Sequence, residues 1–345
     1  MADSWITRHG ASVRSFRYRG PDGAPVKDEK TLARIRALAI PPAWKDVHIA
    51  RDPRSSVQAW GFDARGRKQY RYHERAVARG ELRKYHRVRR LARDLPRIRS
   101  ELDDWLQDTT HPRERMAAAV VRLISQGFFR VGSERYVKEN RTFGITTLRK
   151  RHVSVEGDTI TFTYKGKQGK RQRQAVVDGD LARWIERECL TTPGARLFRY
   201  QDEQGWHDLT AREVNQFLRH TLGVPYSAKD FRTWGGTLRA ATVLADIGPA
   251  PSAAQARKSV NTALRLVAAE LGNTPAICRA SYVHPIVLAR YEDEGDTISP
   301  RATRTAAADR AAHAPEERAL IRFLDAHFPE RRKRAEGPLQ RERRE

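Results

Sequence analysis

One stretch alternates between apolar and polar residues, and it confines the chain to folds that seat an antiparallel hairpin among helices. Residues 153–155 lead into Glu156-Gly157-Asp158 and then into 159–164. Ile160, Phe162 and Tyr164 recur with period two and threonines fall between them, so one face is apolar and the other polar. Glu156-Gly157-Asp158 is a turn signal, and the two runs form a predicted hairpin. Lys165-Gly166-Lys167-Gln168-Gly169-Lys170 is a glycine-rich basic loop, and residues 171–177 return as another strand. Its lysines either decorate a solvated tip or lay one ammonium into a site.

After this region the period becomes helical. Before it, residues 113–125 put Met116, Val120, Leu123 and Ile124 on one face. After it, helices are predicted over 180–190, over 210–222 with Thr210 and Glu213 as a capping box, from Ser227 to about Asp246, and over 252–271. From Arg301 the chain is rich in Ala, Arg and Glu. One helix over 303–328 and a polar tail are expected, a basic helical extension from about residue 300. Residues 301–345 hold twelve Arg or Lys against eight acids, too mixed for a DNA-binding arm.

The N-terminal third is β-rich by contrast. Residues 14–20 and 57–62 are expected strands, 28–39 a helix stopped by Pro41-Pro42, and Asp22-Gly23 a turn. On a strand over 68–72, Tyr70 and Tyr72 share one face, and Gln69 and Arg71 the other. Aromatics interleaved with Arg67, Lys68 and Arg71 suit contact with DNA, where hydroxyl and amide groups reach phosphates or base edges. A sheet edge with solvated charges fits the same stretch. The pattern breaks near 76–80. The expected division is a domain at 1–77, a linker at 78–84 and a second domain at 85–345.

Charge narrows the partner. The chain has 66 Lys plus Arg against 42 Asp plus Glu, a net of +24. Between Arg65 and Arg97 there are thirteen basic residues and three acidic ones, more than solubility needs. A polyanion is implied, with nucleic acid ahead of an anionic membrane. No apolar run approaches the ~20 residues of a membrane span, and the first residues lack the apolar core of a signal peptide. A cytoplasmic, nucleoid-associated protein is expected. Cys189 and Cys278 lie far apart, and the eleven histidines show no ligand spacing, so no metal is expected. No glycine-rich nucleotide loop is present, so no nucleotide cofactor is expected.

Two further stretches carry chemistry. Arg130 lies beside Phe128, Phe129 and two glycines, where a charge needs a counter-group or a path to solvent. Near the C-terminal third, Gly272-Asn273 suits a turn, Thr274 a helix cap and Pro275 the first helical position. Pro285 ends or resets that helix, so Tyr282 sits about two turns past Asn273 near a helix end.

Taken in order, Gly66-Arg67-Lys68-Gln69-Tyr70-Arg71-Tyr72, Phe129-Arg130-Val131-Gly132 with Tyr136-Val137-Lys138-Glu139-Asn140, Tyr164-Lys165-Gly166-Lys167, Lys229-Asp230-Phe231-Arg232-Thr233-Trp234-Gly235, and Gly272-Asn273-Thr274-Pro275 with Ser281-Tyr282 closely resemble the type IB DNA topoisomerases. The likeness is to the compact form of poxviruses and many bacteria, over roughly residues 10–290. Any one stretch is weak, whereas five in order are specific.

The resemblance implies an α+β protein: a small β-rich N-terminal domain and a larger, mainly helical catalytic domain with a three-stranded hairpin region, forming a C-shaped clamp on double-stranded DNA. It implies an ATP-independent monomer that relaxes supercoils through a transient 3′-phosphotyrosyl link. Its nucleophile maps onto Tyr282, its arginines onto Arg130 and Arg232, and its lysine general acid onto Lys167. Its fifth position, often histidine, is Asn273 here, which can donate a hydrogen bond but cannot carry charge. Gln69, Tyr70 and Tyr72 map onto DNA contacts, joined by Arg67 and Lys68. Ser133 replaces a family DNA-contacting lysine. Tyr136 either meets DNA or fills core, and Lys229 either positions a phosphate or serves a helix cap. A tyrosine recombinase is the nearest rival, yet it usually carries His-x-x-Arg where this chain has Lys229-Asp230-Phe231-Arg232. A non-enzymatic basic DNA-binding protein explains the charge but not the constellation. If several phosphates are contacted, DNA affinity is expected to fall by orders of magnitude between about 50 and 200 mM salt. A flat salt titration of the dissociation constant would contradict this.

Overall fold

The computed structural model describes residues 5–300 and 311–328. The chain divides into two compact units, Met1–Lys84 and Tyr85–Glu345.

The first unit holds β1 (Trp5–His9), β2 (Arg17–Arg19), α1 (Glu29–Ala37), β3 (Lys45–Ala50), β4 (Val57–Phe62) and β5 (Lys68–Tyr72). The strands form one antiparallel sheet in the order β2-β1-β3-β4-β5. Asp28 starts α1 by accepting the Thr31 N–H at 2.8 Å. Ile35 of α1 then packs on Ile6, Val47, Ile49 and Ala59 from one sheet face. The opposite face is aromatic and basic. Trp60 stacks on His48 with centroids 3.9 Å apart, and Lys68 Nζ lies 3.7 Å from the Trp60 ring centre. The strand expected over 14–20 shortens to β2, because residues 11–15 turn instead. β1 and β3 were not expected; their alternation is mixed with polar and charged residues and does not stand out.

Helix α2 (Glu74–Gln107) follows. Residues 78–84, expected as an irregular linker, are helical within it, and Gly80 is carried at a cost of about 1 kcal/mol. The second unit continues with α3 (Pro112–Gly127), α4 (Glu134–Asn140), β6 (Val153–Glu156), β7 (Thr159–Lys165), β8 (Arg171–Val177) and α5 (Gly179–Glu188). After these come β9 (Arg199–Asp202), β10 (Gly205–Asp208), α6 (Ala211–Gln216), α7 (Ala228–Ile247), α8 (Ala253–Leu271), α9 (Pro275–Ser281), α10 (Pro285–Glu294) and α11 (Pro315–His327). β6, β7 and β8 form the expected three-stranded antiparallel sheet. The pair β9–β10 was not foreseen, and a π-helical turn, Phe217–Thr221, replaces the end of the helix expected over 210–222. The Thr210–Glu213 capping box forms as expected. Ile160, Phe162 and Tyr164 point into one core with α3, α7 and α8.

Pro96 lies inside α2 and cannot donate to the Ala92 carbonyl one turn back. His313 Nε2 meets that carbonyl at 2.6 Å and restores the bond. Arg99 then grips Glu317 through two hydrogen bonds of 2.8 and 3.0 Å, and Arg93 pairs with Asp325 at 2.6 Å. Leu320, Phe323 and Leu324 are buried. On its described part, the expected basic extension is therefore a core helix whose acids meet the arginines of α2. The stretches 303–310 and 329–345 of that expectation lie outside the described residues. Among the described residues, no helix is long and apolar enough to cross a membrane.

Glu317 is buried. Burial pushes its carboxyl up, but the Arg99 hydrogen bonds and charge and the Ala314 N–H outweigh this and hold it below its ordinary value. A depressed carboxylate stabilises the fold above its unfolded pKa of about 4.3 and loses that contribution as pH falls through the lower folded value. Glu317→Gln is expected to lose about 1–3 kcal/mol at pH 7 in urea unfolding. Its stability should also fall less steeply than that of the wild type below about pH 4. Equal urea midpoints at pH 7 would refute this role.

Candidate active site

Arg130 is delivered by the end of α3. Phe128, the C-cap, takes the left-handed conformation (φ 52°) and turns the chain. A Cβ on Gly235 of α7 would lie 2.2 Å from the Phe128 ring, so only glycine lets that ring pack there. Phe129 is fully buried. The Arg130 carbonyl accepts from Ile145 N–H at 2.8 Å and the Val131 carbonyl from Thr146 N–H at 2.9 Å, which pins the segment. The Arg130 guanidinium then donates to the Gly272 carbonyl at 3.0 Å and to Asn273 Oδ1.

Arg232 comes from the second turn of α7 and is 3% exposed. Its Nη2 donates to the Leu271 carbonyl at 2.9 Å and its Nη1 to the Phe128 carbonyl. Burial, then the nearby Arg130 charge, push the guanidinium below its ordinary value, while the Tyr282 phenol pulls it up. It stays charged, because a guanidinium is not deprotonated in proteins. Neither arginine pairs with a carboxylate among the described residues. Asn273 Nδ2 and Arg232 Nε are buried there without hydrogen-bond partners.

Tyr282 caps α9, whose Thr274 cap and Pro275 start match the sequence expectation. The Arg232 guanidinium carbon lies 5.1 Å from the Tyr282 ring centre. The backbone around Tyr282 is held on several sides. Thr237 Oγ1 accepts from His284 N–H at 3.0 Å and donates to the Thr233 carbonyl at 2.7 Å, with the Tyr282 carbonyl 3.4 Å away. Tyr85 OH donates to the Val283 carbonyl at 3.0 Å. The buried His284 ring packs on Tyr85 and Phe328, with centroids 4.4 and 4.6 Å away. Pro285 resets the chain into α10 with His284 as its cap.

A second tyrosine, Tyr164, also lies near both arginines. Burial pushes its phenol up to about 12 despite their charges, and it donates to Gln174 Oε1. It remains a neutral structural group, whereas Tyr282 is half-buried at a helix end.

Lys167 stands apart. It is exposed in the short turn Lys167–Gly169 at the hairpin tip and makes no hydrogen bond to the other four among the described residues. Its loop is nevertheless joined to them through Gln172, a buried residue of β8. A Cβ on Gly166 would lie 2.6 Å from Gln172 Cγ, and one on Gly272 would lie 1.9 Å from Gln172 Oε1. One side chain thus fills the gap between the start of the lysine loop and the turn that carries Asn273.

The remaining expected residues are dispersed. In the first unit, Asp63 Oδ2 accepts from Gln69 Nε2 at 2.9 Å and Arg67 Nε at 2.8 Å. Those bonds, Arg67 first, hold the Asp63 carboxyl far below its usual range. Tyr70 and Tyr72 are exposed and stacked, 5.8 Å between centroids. In the second unit Tyr136 is 49% exposed on α4, so it does not fill core. Lys229 is exposed, and the cap of α7 is made by Ser227 and Asp230 instead. Gln172, Tyr85, His284 and Phe328 were missed; their only sequence signals were Gly166 and Gly272, whose missing side chains leave room for Gln172. Among the described residues no group of three His, Cys, Asp or Glu side chains is placed to hold a metal ion.

Comparison with known proteins bears on the family of the chain. The family model described as the catalytic core of eukaryotic DNA topoisomerase I matches residues 72–308, and that of the bacterial DNA topoisomerase IB N-terminal domain matches residues 15–63. DNA topoisomerase 1B of Acanthamoeba polyphaga mimivirus is 31% identical over 76% of this chain and 81% of its own length. The vaccinia virus (strain Copenhagen) DNA topoisomerase 1B is 24% identical over 69% of this chain and 74% of its own. A solved structure of the XerH site-specific recombinase bound to a palindromic difH substrate aligns with TM-score 0.39 and 15% identity, over 59% of this chain and 50% of that one, too loosely to bear on the site.

Gly272 has φ 60°, and the gap beside it is filled. Gly272→Ala is expected to lose about 2 kcal/mol or more through left-handed strain and overpacking, roughly 4–8 °C in melting temperature. Adding Gln172→Ala should recover the packing part. A single variant melting with the wild type would show that the gap is not tight.

Proposed function

The chain belongs to the DNA topoisomerase I family, in its type IB form, and from that premise we propose that Tyr282 is the nucleophile that opens one strand of a DNA duplex. DNA is the substrate and the enzyme is an isomerase. The reading of the individual residues rests on one observation: a buried guanidinium, Arg232, and a half-buried one, Arg130, lie beside a tyrosine and donate to carbonyl oxygens, with an Asn273 amide N–H left unpartnered next to them among the described residues. A buried donor without a partner costs about 1–3 kcal/mol. A phosphodiester placed there would supply the missing anion and the missing acceptors.

The chemistry follows from the residue types. Tyr282 Oη attacks phosphorus as its phenolic proton passes to water, and the bond from phosphorus to the 5′-oxygen breaks. Arg130 and Arg232 brace the extra charge of the pentavalent transition state, and losing one such donor typically costs about 3–4 kcal/mol. Asn273 donates from Nδ2 to a non-bridging oxygen while its Oδ1 stays with Arg130. The 5′-oxygen is a poor leaving group and takes a proton from Lys167, whose hairpin must bring it in from its exposed position. The product is a 3′-phosphotyrosyl link that keeps the bond energy, so the reverse attack by the 5′-hydroxyl reseals the strand without ATP. Between the two steps the free strand swivels and supercoils relax. In this reading the second unit is the catalytic domain and the protein acts as a monomer. The exposed Tyr70 and Tyr72 of β5 and Tyr136 of α4 meet the duplex. Gln69 and Arg67 meet it once released from Asp63, while Lys68 and Lys229 meet phosphates.

Tyr282→Phe is expected to bind a duplex within about twofold of the wild type yet to leave supercoiled plasmid unrelaxed and to form no covalent adduct. Relaxation at the wild-type rate would remove Tyr282 from the mechanism.

A further inference from the structure

A cleft of about 650 Å³ lies in the second unit, lined by Lys138, Arg141, Arg149, Arg151 and Lys165 around the half-buried Phe143 ring. No lining residue is acidic. None of the five cations forms an ion pair or a side-chain hydrogen bond among the described residues. Elsewhere the chain pairs its arginines readily, as with Arg99 and Glu317, Arg122 and Asp178, and Arg93 and Asp325. Five like charges gathered on a concave wall repel one another, and low-dielectric walls focus their field outward. Such an arrangement fits an anion that is absent from the chain itself.

The cleft is built rather than incidental. Arg141 caps α4 in the left-handed conformation, φ 51°, which turns the chain toward Phe143. Phe143 N–H donates to the Lys165 carbonyl at 2.8 Å, tying this wall to the end of β7. His152 Nδ1 accepts from Arg149 N–H at 3.1 Å, and its ring meets Phe143 edge-on at 4.6 Å. Burial, then Arg151 and Arg149, hold the His152 imidazole below its ordinary value, so it lines the floor as a neutral ring. None of these residues belongs to the Tyr282 constellation.

We propose that this cleft is a second phosphate-binding site, which takes a run of consecutive phosphates apart from the one attacked by Tyr282. Cations spread around one wall match a chain of phosphates better than a single anion. A nucleic-acid backbone and a free oligophosphate share that chemistry. The proposal rests on the DNA-acting reading above only for the first of these sources.

The full-length chain carrying Arg149→Gln with Arg151→Gln is to be compared with the wild type in three measurements. These are duplex affinity across a salt series, binding of inorganic tripolyphosphate without DNA, and covalent adduct formation at saturating DNA. Loss of two phosphate contacts is expected to lower the slope of log Kd against log salt by about 2. That result identifies the nucleic-acid backbone as occupant. Loss of tripolyphosphate binding with an unchanged slope identifies a free oligophosphate. If neither changes, the site does not exist. The Arg149→Lys with Arg151→Lys pair should retain what the Gln pair loses; an equal loss would mean shape rather than charge, and would overturn the proposal. Adduct formation reports on Tyr282, so its failure in the wild type would count against the mechanism above and not against the cleft. A fall confined to the Gln pair would mean that the cleft is not separate, and would overturn it.

Discussion

A buried and a half-buried guanidinium sit together with no carboxylate paired to either among the described residues, and the catalytic unit is arranged to make that tolerable. Apart from Asn273 Oδ1, which also accepts from Arg130, the partners of Arg130 and Arg232 are backbone carbonyls at helix ends. Phe128 caps α3, Leu271 is the last residue of α8 and Gly272 caps it. The last carbonyls of a helix have no partner within it, and they carry the negative end of the helix dipole. Each arginine therefore satisfies orphan acceptors and is partly neutralised by them, without an acid that would compete with an incoming phosphate. The glycine at 235 and the left-handed turn at Phe128 follow from the same need, because they bring the end of α3 within reach of α7.

The same arrangement separates fixed parts from movable ones. Arg130, Arg232 and Asn273 are held by buried and part-buried bonds, and Tyr282 sits on backbone held by Thr237 and Tyr85. Lys167 sits at an exposed tip where few contacts hold it, which is where the low-stability, mobile end of a protein is found. Gln172 connects the two regimes by filling the space between Gly166 and Gly272. In the proposed mechanism, a group that donates a proton only when the leaving oxygen is in place can tolerate such looseness, whereas groups that stabilise charge cannot.

Much of this was legible in the residues. The period-two run of Ile160, Phe162 and Tyr164 specified its hairpin, and Thr274-Pro275 its helix start, because each signal is local. The strands β1 and β3 were not legible, since polar residues blur their alternation until a sheet closes around them. Lys229 was a candidate cap until Ser227 and Asp230 took that role. The linker expected near Gly80 is helical for a related reason: tertiary context carries a glycine through a helix that propensity alone would break. The placement of Gln172, His284 and Phe328 around the site depends on long-range packing, which no local pattern encodes.

The repair of α2 by His313 places the C-terminal segment inside the architecture of the catalytic unit. Pro96 opens a gap in a helix made early, and the residue that closes it is made more than two hundred positions later. Phe328, which packs on the ring beside the Tyr282 turn, emerges later still. A ribosome-bound chain that already displays its tyrosine thus lacks the wedge behind it. The packing behind the Tyr282 turn is therefore completed only by residues made after it.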